Sequence, residues 1–339
     1  MDTISFPGLG DISFHIDRIA FTLFGFPFRW YGIIIAVGFL LAVLLGMRVS
    51  KKFGINPDDI IDIVLYAAPV SIICARLYYV IFSPDKSIYF EDPVEIVRIW
   101  HGGLAIYGGI IGAIGTTYVY CRIKKINVLN ILDFGLPYFA LAQAIGRWGN
   151  FVNQEAFGSQ TDLPWGMTGD IIQDYLIRYY PDLDPKIPVH PTFLYESLWN
   201  LGVFAFLIWY RKRKKNNGEV FLLYITLYGL GRTWIEALRL DSLMLGPVRI
   251  SQMLALCCAV IGMAAFVVLR KKKNVEALEA EGEPSSYRKI LEELNNKSTE
   301  PHAEDVEADE LKLSDSNDES ESNEENYEDA ETSSNNIND

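Results

Sequence analysis

Cysteine and histidine are scarce, with four of each in 339 residues. Cys74, Cys121, Cys257 and Cys258 lie in or beside apolar runs and show neither metal nor redox spacing, which argues against a disulfide framework. No His, Asp or Glu cluster has the spacing of a zinc or calcium site, so no metal and no other cofactor is expected. The first 29 residues lack a basic n-region: Asp2, Asp11 and Asp17 stand there, no small-residue cleavage site follows, and no secretory signal peptide is expected. An internal repeat is also missing, which weighs against an inverted-repeat transporter. No nucleic-acid motif accompanies the basic clusters, and no nucleic-acid partner is expected. Other acyl- and phosphotransferases have signatures of their own, such as a His-x4-Asp pair or an aspartate-rich metal motif, and neither occurs.

What the chain does have is apolar length. Half of its residues are hydrophobic, and long apolar runs fall at Tyr31–Met47, Ile60–Phe82, Leu104–Cys121, Leu129–Ile145, Thr192–Tyr210, Val220–Leu238 and Ile250–Leu269. Most approach the roughly 20 residues that a helix needs to cross a hydrocarbon core. The fourth is short and holds Asp133 and Pro137, so a re-entrant hairpin is its alternative reading. Basic clusters at Arg48/Lys51/Lys52, Arg122/Lys124/Lys125, Arg211–Lys215 and Arg270–Lys273 follow the first, third, fifth and seventh runs. All four share one side only if every run is a span. The expectation is therefore an all-α integral membrane protein with seven transmembrane helices, its N-terminus outside and its C-terminus cytoplasmic.

The formal charge of −13 averages two unlike parts. Residues 274–339 hold 22 Asp and Glu against four Lys and Arg, a net of −18 that leaves +5 for the rest. This segment is expected to be a disordered cytoplasmic tail, with a short helix allowed near Tyr287–Leu294. Residues 1–29 are expected to form an outer-face arm at the membrane surface. Residues 30–273 are expected to form the seven-helix transmembrane domain, with an outer loop at about 150–190.

With that orientation the intramembrane polar residues gather at one level. Tyr31, Arg76, His101, Tyr107, Arg147, Asn150, Glu155, His190, Tyr195, Glu196, Arg232, Glu236 and Arg239 all fall toward the outer ends of their runs. One outer-leaflet-level polar cavity would collect them. Tyr228, Arg232, Glu236 and Arg239 follow i, i+4, i+8, i+11 spacing, a single helical stripe. Arg232 and Glu236 alternatively pair only to bury each other, and His190 alternatively only caps the fifth run. An arginine at the centre of a bilayer costs roughly 2.5–3.5 kcal/mol, so such groups have a partner or a task. Several arginines with too few carboxylates imply an external anion, and the planar guanidinium fork suits phosphate. Arg147, Asn150 and Gln154 would share one face if their helix continued.

The stretch Gly146-Arg147-Trp148-Gly149-Asn150-Phe151-Val152-Asn153-Gln154-Glu155 resembles the signature of prolipoprotein diacylglyceryl transferases, Gly-Arg-x-Gly-Asn-Phe-x-Asn-x-Glu, at every fixed position. Trp30-Tyr31-Gly32, Ala75-Arg76, Gly102-Gly103 with Gly108-Gly109, His190-Pro191-Thr192 with Tyr195-Glu196, and Tyr228 through Arg239 resemble further blocks of that family in the same order. The likeness covers about residues 12–270. One position departs: many members place a histidine before the Gly108-Gly109 pair, and this chain has Tyr107. The resemblance implies transfer of the diacylglyceryl group of phosphatidylglycerol to the lipobox cysteine of a prolipoprotein, in the cell membrane of a bacterium. The partners implied are phosphatidylglycerol, the lipobox peptide and membrane lipids. Arg147 and Arg232 would take the phosphate with Asn150 donating to it, while Glu155 and Glu236 orient the arginines. Tyr31, Tyr107, Tyr228 and Glu196 would line the cavity or handle protons. Arg76, Asn153, His190 and Arg239 complete the expected substrate contacts.

Overall fold

The computed structural model describes residues 1–281, except Asp11, Pro84, Asp85, residues 241–243 and residues 246–247, and beyond them Leu294 alone. The acidic tail, including the helix expected near Tyr287–Leu294, otherwise lies outside the described residues.

The chain opens with strands β1 (Asp2–Phe6) and β2 (Ile12–Ile16), then a hairpin of β3 (Ile19–Leu23) and β4 (Phe26–Arg29). Phe24 and Gly25, at φ 52° and 81°, make the left-handed pair that a two-residue hairpin turn requires. Helices α1 (Trp30–Ser50), α2 (Pro57–Phe82), the short α3 (Ser87–Glu91), α4 (Ile106–Lys124) and α5 (Val128–Asn153) follow. Strand β5 (Thr168–Gly169) and α6 (Asp170–Tyr179) come next, then α7 (Thr192–Arg211), α8 (Glu219–Leu238), strands β6 (Met244–Leu245) and β7 (Val248–Arg249), and α9 (Ile250–Glu281).

The seven apolar runs thus become seven long helices in order. Five of these are long and apolar enough to cross a membrane: α1 with its 3₁₀ extension to Phe53, α2, α5, α7, and α9 as far as Lys271. Four glycines and three tyrosines dilute α4, and Glu219, Arg232 and Glu236 dilute α8. The fourth run, weakest in sequence, is a continuous 26-residue helix through Pro137. Its charge has a structural partner. Asp133 accepts from the backbone N–H of Gly218 (2.8 Å) and Phe221 (2.9 Å), and from Lys214 Nζ (3.1 Å). A carboxylate there satisfies otherwise orphaned amides at the start of α8 and complements its dipole.

Burial ranks the helices. Only 11–17% of the apolar stretch of α1, α2 and α9 is buried, against 44% for α5 and 39% for α7. Helix α5 packs on α1, α7 and α8, so it forms the centre, while α2 pairs with α4. That second pair is close: a Cβ on Gly108 would lie 2.3 Å from the Cys74 carbonyl oxygen, so only glycine permits the approach. Rows such as Val37, Leu40 and Leu44 on α1, and Ile73 and Ile81 on α2, are exposed. Apolar surface of that extent calls for lipid rather than water.

A small lobe caps the end of the bundle where α5 finishes and α7 begins. Strands β2, β1 and β5 form its antiparallel sheet, so the N-terminal arm and the 150–190 loop share one structure. Ile4, Met167, Ile172, Leu176, Val189 and Phe193 form its buried core. The arm is therefore β structure, and with the short strands β5 to β7 it departs from the expected all-α class.

Candidate active site

Three helix segments converge beneath this lobe. The C-terminal turns of α5 carry Arg147 and Asn150, the first turns of α7 carry Glu196, and the last turns of α8 carry Arg232 and Glu236, with Arg239 at its C-cap. Glu196 is the hub. Its Oε2 lies 2.6 Å from Arg147 Nη2, and its Oε1 lies 3.1 Å from Arg232 Nη1 and 3.7 Å from Arg239 Nη1. Arg232 Nη2 also meets Glu236 Oε2 at 2.6 Å, one turn along α8. Glu196 and Glu236 are almost fully buried, while the arginine side chains keep 12–22% of their surface. Buried carboxylates thus hold a layer of guanidinium groups that remains accessible. Each guanidinium has five donors, so the ion pairs leave some to offer.

The signature stretch supplies the rest. Arg147 Nη1 donates to Asn150 Oδ1 (3.3 Å), and Asn150 Nδ2 donates to Glu155 (2.8 Å), which also accepts from Asn153 Nδ2 (3.3 Å). Glu155 is exposed, at the rim of this chain of bonds. The ring of Tyr31, from the start of α1, lies directly over Gly149, where a Cβ would come within 2.8 Å of it.

Several expectations change on this geometry. The helix stops at Asn153, and Gln154 turns into the left-handed region at φ 52°, followed two residues on by Ala156 at φ 57°. Gln154 therefore does not share a face with Arg147. Its buried side chain instead accepts from the Ile171 N–H (3.1 Å) and donates to the Thr3 carbonyl (3.3 Å), which ties the lobe to the end of α5. The supposed shortage of carboxylates also disappears. Arg147, Arg232 and Arg239 face Glu196 and Glu236 directly, with Glu155 linked through Asn150. Glu155 orients Arg147 only through that amide, and Glu196 outranks it. From sequence Glu196 is a lining or proton-handling group; its signals are the Tyr195-Glu196 block and a carboxylate one turn inside an apolar run.

The other expected residues have these surroundings. Arg76 is buried and donates to the carbonyls of Glu95, Ile96 (3.0 Å), Gly102 (2.6 Å) and Gly103 (3.1 Å), holding together the connection between α2 and α4. Within that connection His101 bonds Glu95 at 2.8 Å. This hydrogen bond, with help from Arg98, holds the Glu95 carboxyl below the usual range. Tyr107 is half exposed, with its ring against Tyr78. His190 bonds the Tyr195 hydroxyl (3.2 Å), which accepts from Trp165 Nε1 (2.8 Å). Burial lowers the His190 pKa, which favours its neutral form. Its backbone carbonyl accepts from Gly158 (2.9 Å), pinning the loop against the start of α7. Tyr228 sits one turn before Arg232, stacked on Tyr224.

Comparison with known proteins places this arrangement in a family. The family profile described as prolipoprotein diacylglyceryl transferase matches residues 18–268. The protein from Clostridioides difficile (strain 630) named phosphatidylglycerol–prolipoprotein diacylglyceryl transferase is 47% identical over 259 residues, covering 76% of this chain and 98% of that protein. Proteins of the same name from Finegoldia magna and Limosilactobacillus reuteri (strain DSM 20016) are 42% and 44% identical, covering 76% and 77% of this chain and 97% and 93% of their own length. All the blocks that build the arginine–glutamate cluster fall inside the matched region, and the chain belongs to the prolipoprotein diacylglyceryl transferase family.

Proposed function

We propose that this protein transfers the diacylglyceryl group of phosphatidylglycerol to the lipobox cysteine of a prolipoprotein, releasing glycerol phosphate, as the first step of lipoprotein maturation. The observation that carries the reading is the Arg147–Glu196–Arg232 cluster, accessible guanidinium groups held by a buried carboxylate. Arg147 and Arg232 grip the phosphate of the donor lipid and Arg239 adds to the local field. Donors fixed before reaction need not reorganise when charge grows on the leaving phosphate.

The bond changes follow from that placement. The cysteine thiol loses its proton, its sulfur bonds to the glyceryl carbon, and the bond from that carbon to the phosphate ester oxygen breaks. A free thiol, with a pKa near 8.5, is only a few per cent ionised at neutral pH, and nearby arginines favour its thiolate. Glu155, the exposed carboxylate at the end of the Arg147–Asn150 chain, accepts the thiol proton. That step leaves the guanidinium layer one charge in excess as the phosphate departs. Tyr31 and Tyr228 line the cavity, Asn153 holds Glu155, and His190 positions the loop over the site.

The same reading places seven spans in the cell membrane of a bacterium, with the lobe and cavity at the outer leaflet and the C-terminal segment in the cytoplasm. Four basic clusters at the helix ends opposite the lobe support that orientation. The function is tested by incubating the purified protein with phosphatidylglycerol vesicles and a lipobox peptide. Mass spectrometry should show a diacylglyceryl adduct on the cysteine, with glycerol phosphate released. Absence of the adduct from well-inserted protein refutes the assignment.

A further inference from the structure

Adjoining the arginine cluster, a small open cleft runs between α7 and α8. Glu196, Arg232 and Ile235 line its lobe side, Asn200 and Tyr228 lie deeper, and Trp199 supplies an apolar wall. The spacing is helical on both sides: Asn200 follows Glu196 by four residues, and Tyr228 precedes Arg232 by four on the antiparallel partner. Each pair therefore descends by about 6 Å. The cleft needs Gly231, since a Cβ there would lie 2.2 Å from Trp199 Nε1, which donates to the Leu227 carbonyl at 2.9 Å.

Asn200 is only 3% exposed, and its side-chain amide makes no hydrogen bond among the described residues, nor does the Tyr228 hydroxyl. The polar atoms of that amide are not sealed in the interior but open on the cleft. Asn200 offers two N–H donors and Tyr228 one O–H donor, facing a space with apolar walls. Resting on the proposed function, we infer that Asn200 and Tyr228 form a subsite for the acyl ester carbonyls of the donor lipid. With the phosphate on Arg147 and Arg232, the polar head of a glycerophospholipid points toward the lobe. Its glyceryl esters then lie on the opposite side, toward the acyl chains. That is the depth of the unpaired donors, and an ester carbonyl is a pure acceptor that matches them. Head-group hydroxyls would fall on the other side of the phosphate.

The test compares two donors in the full-length enzyme: diester phosphatidylglycerol and its dialkyl ether analogue, which keeps phosphate, head group and chain length but lacks both carbonyls. Wild-type protein should prefer the diester by about tenfold in kcat/KM, mostly through KM. Asn200→Leu should lose about tenfold on the diester and change little on the ether, which removes the preference. Tyr228→Phe, which deletes one oxygen and keeps the fold safe, should erode the preference in the same direction. Equal losses on both donors in both variants overturn the subsite, as does a wild-type enzyme indifferent to the carbonyls. A variant whose ester preference persists while its preference between glycerol and ethanolamine head groups shifts also overturns it. No transfer from either donor by wild-type protein is a different result: it refutes the proposed function, and this inference with it.

Discussion

Glu196 shows how one side chain organises a site. A single buried carboxylate reaches Arg147 from α5 and Arg232 and Arg239 from α8. Removing one partner of a buried charge pair leaves the others uncompensated, a cost of about 3–5 kcal/mol. Glu196→Gln should therefore both lower the thermal midpoint of the purified protein and abolish transfer, whereas Glu155→Gln should spare stability and reduce turnover. Unchanged stability in Glu196→Gln would remove it as the hub. The arginines separate charge from geometry. Arg147→Lys keeps the charge but loses the two-pronged fork. It should be nearly as damaging as Arg147→Ala, each costing about 2.7–4 kcal/mol or roughly a hundred- to a thousandfold in rate. Wild-type turnover from well-inserted Arg147→Ala would refute the phosphate role. Tyr107→His restores the commoner residue at a half-exposed position away from the cluster, and should retain activity.

At the scale of elements, the signature stretch is a helix terminus rather than a helix. Two non-glycine residues in the left-handed region, Gln154 and Ala156, turn the chain so that Glu155 faces back toward Asn150. Such conformations cost of order 1–3 kcal/mol each and persist only where the surroundings over-determine them. The Gln154 side chain supplies that restraint through Thr3 and Ile171. Gln154→Ala should lower the unfolding midpoint of the lobe and speed hydrogen exchange at Ile171, and unaltered exchange there would show that the tie is dispensable. His190, in the same lobe, gives a pH dependence with a definite sign. Burial lowers its folded-state pKa below the unfolded value of about 6.5. The unfolded chain therefore takes up the proton first, and stability falls as pH drops below about 6.5. A histidine NMR titration should place His190 below that value, and one at or above it would contradict the buried, neutral ring.

For the whole molecule, α5 is the axis on which the helices meet, and the lobe that covers its end is assembled from distant segments. Truncation after Glu281, the last residue of α9, should leave transfer nearly intact. The family match ends at residue 268, and the removed residues are strongly acidic and poor in apolar side chains. A loss of about tenfold, or 1.4 kcal/mol in the barrier, would give the tail a role in the chemistry. Cysteine labelling in intact cells should reach residues 181–187 of the lobe from outside, and protection of that segment would invert the proposed orientation.

The order of the seven helices was legible in the chain, because an apolar run of about 20 residues with charges held to its ends is a local signal; their ends were less so, since α5 runs on to Asn153 and α9 to Glu281. The ten-residue signature and the stripe from Tyr228 to Arg239 were legible for the same reason, since helical spacing alone sets which side chains align. Which charges meet was not legible, because contact between α5, α7 and α8 depends on packing between segments far apart in sequence. Glu196 and Arg76 each appeared as one charge in an apolar run. Tertiary structure made Glu196 the hub of three arginines and turned Arg76 to the carbonyls of its own connecting loop. It likewise joined β1 to β5 across more than 160 residues. Strand pairing there needs a partner edge, which no short window of sequence contains.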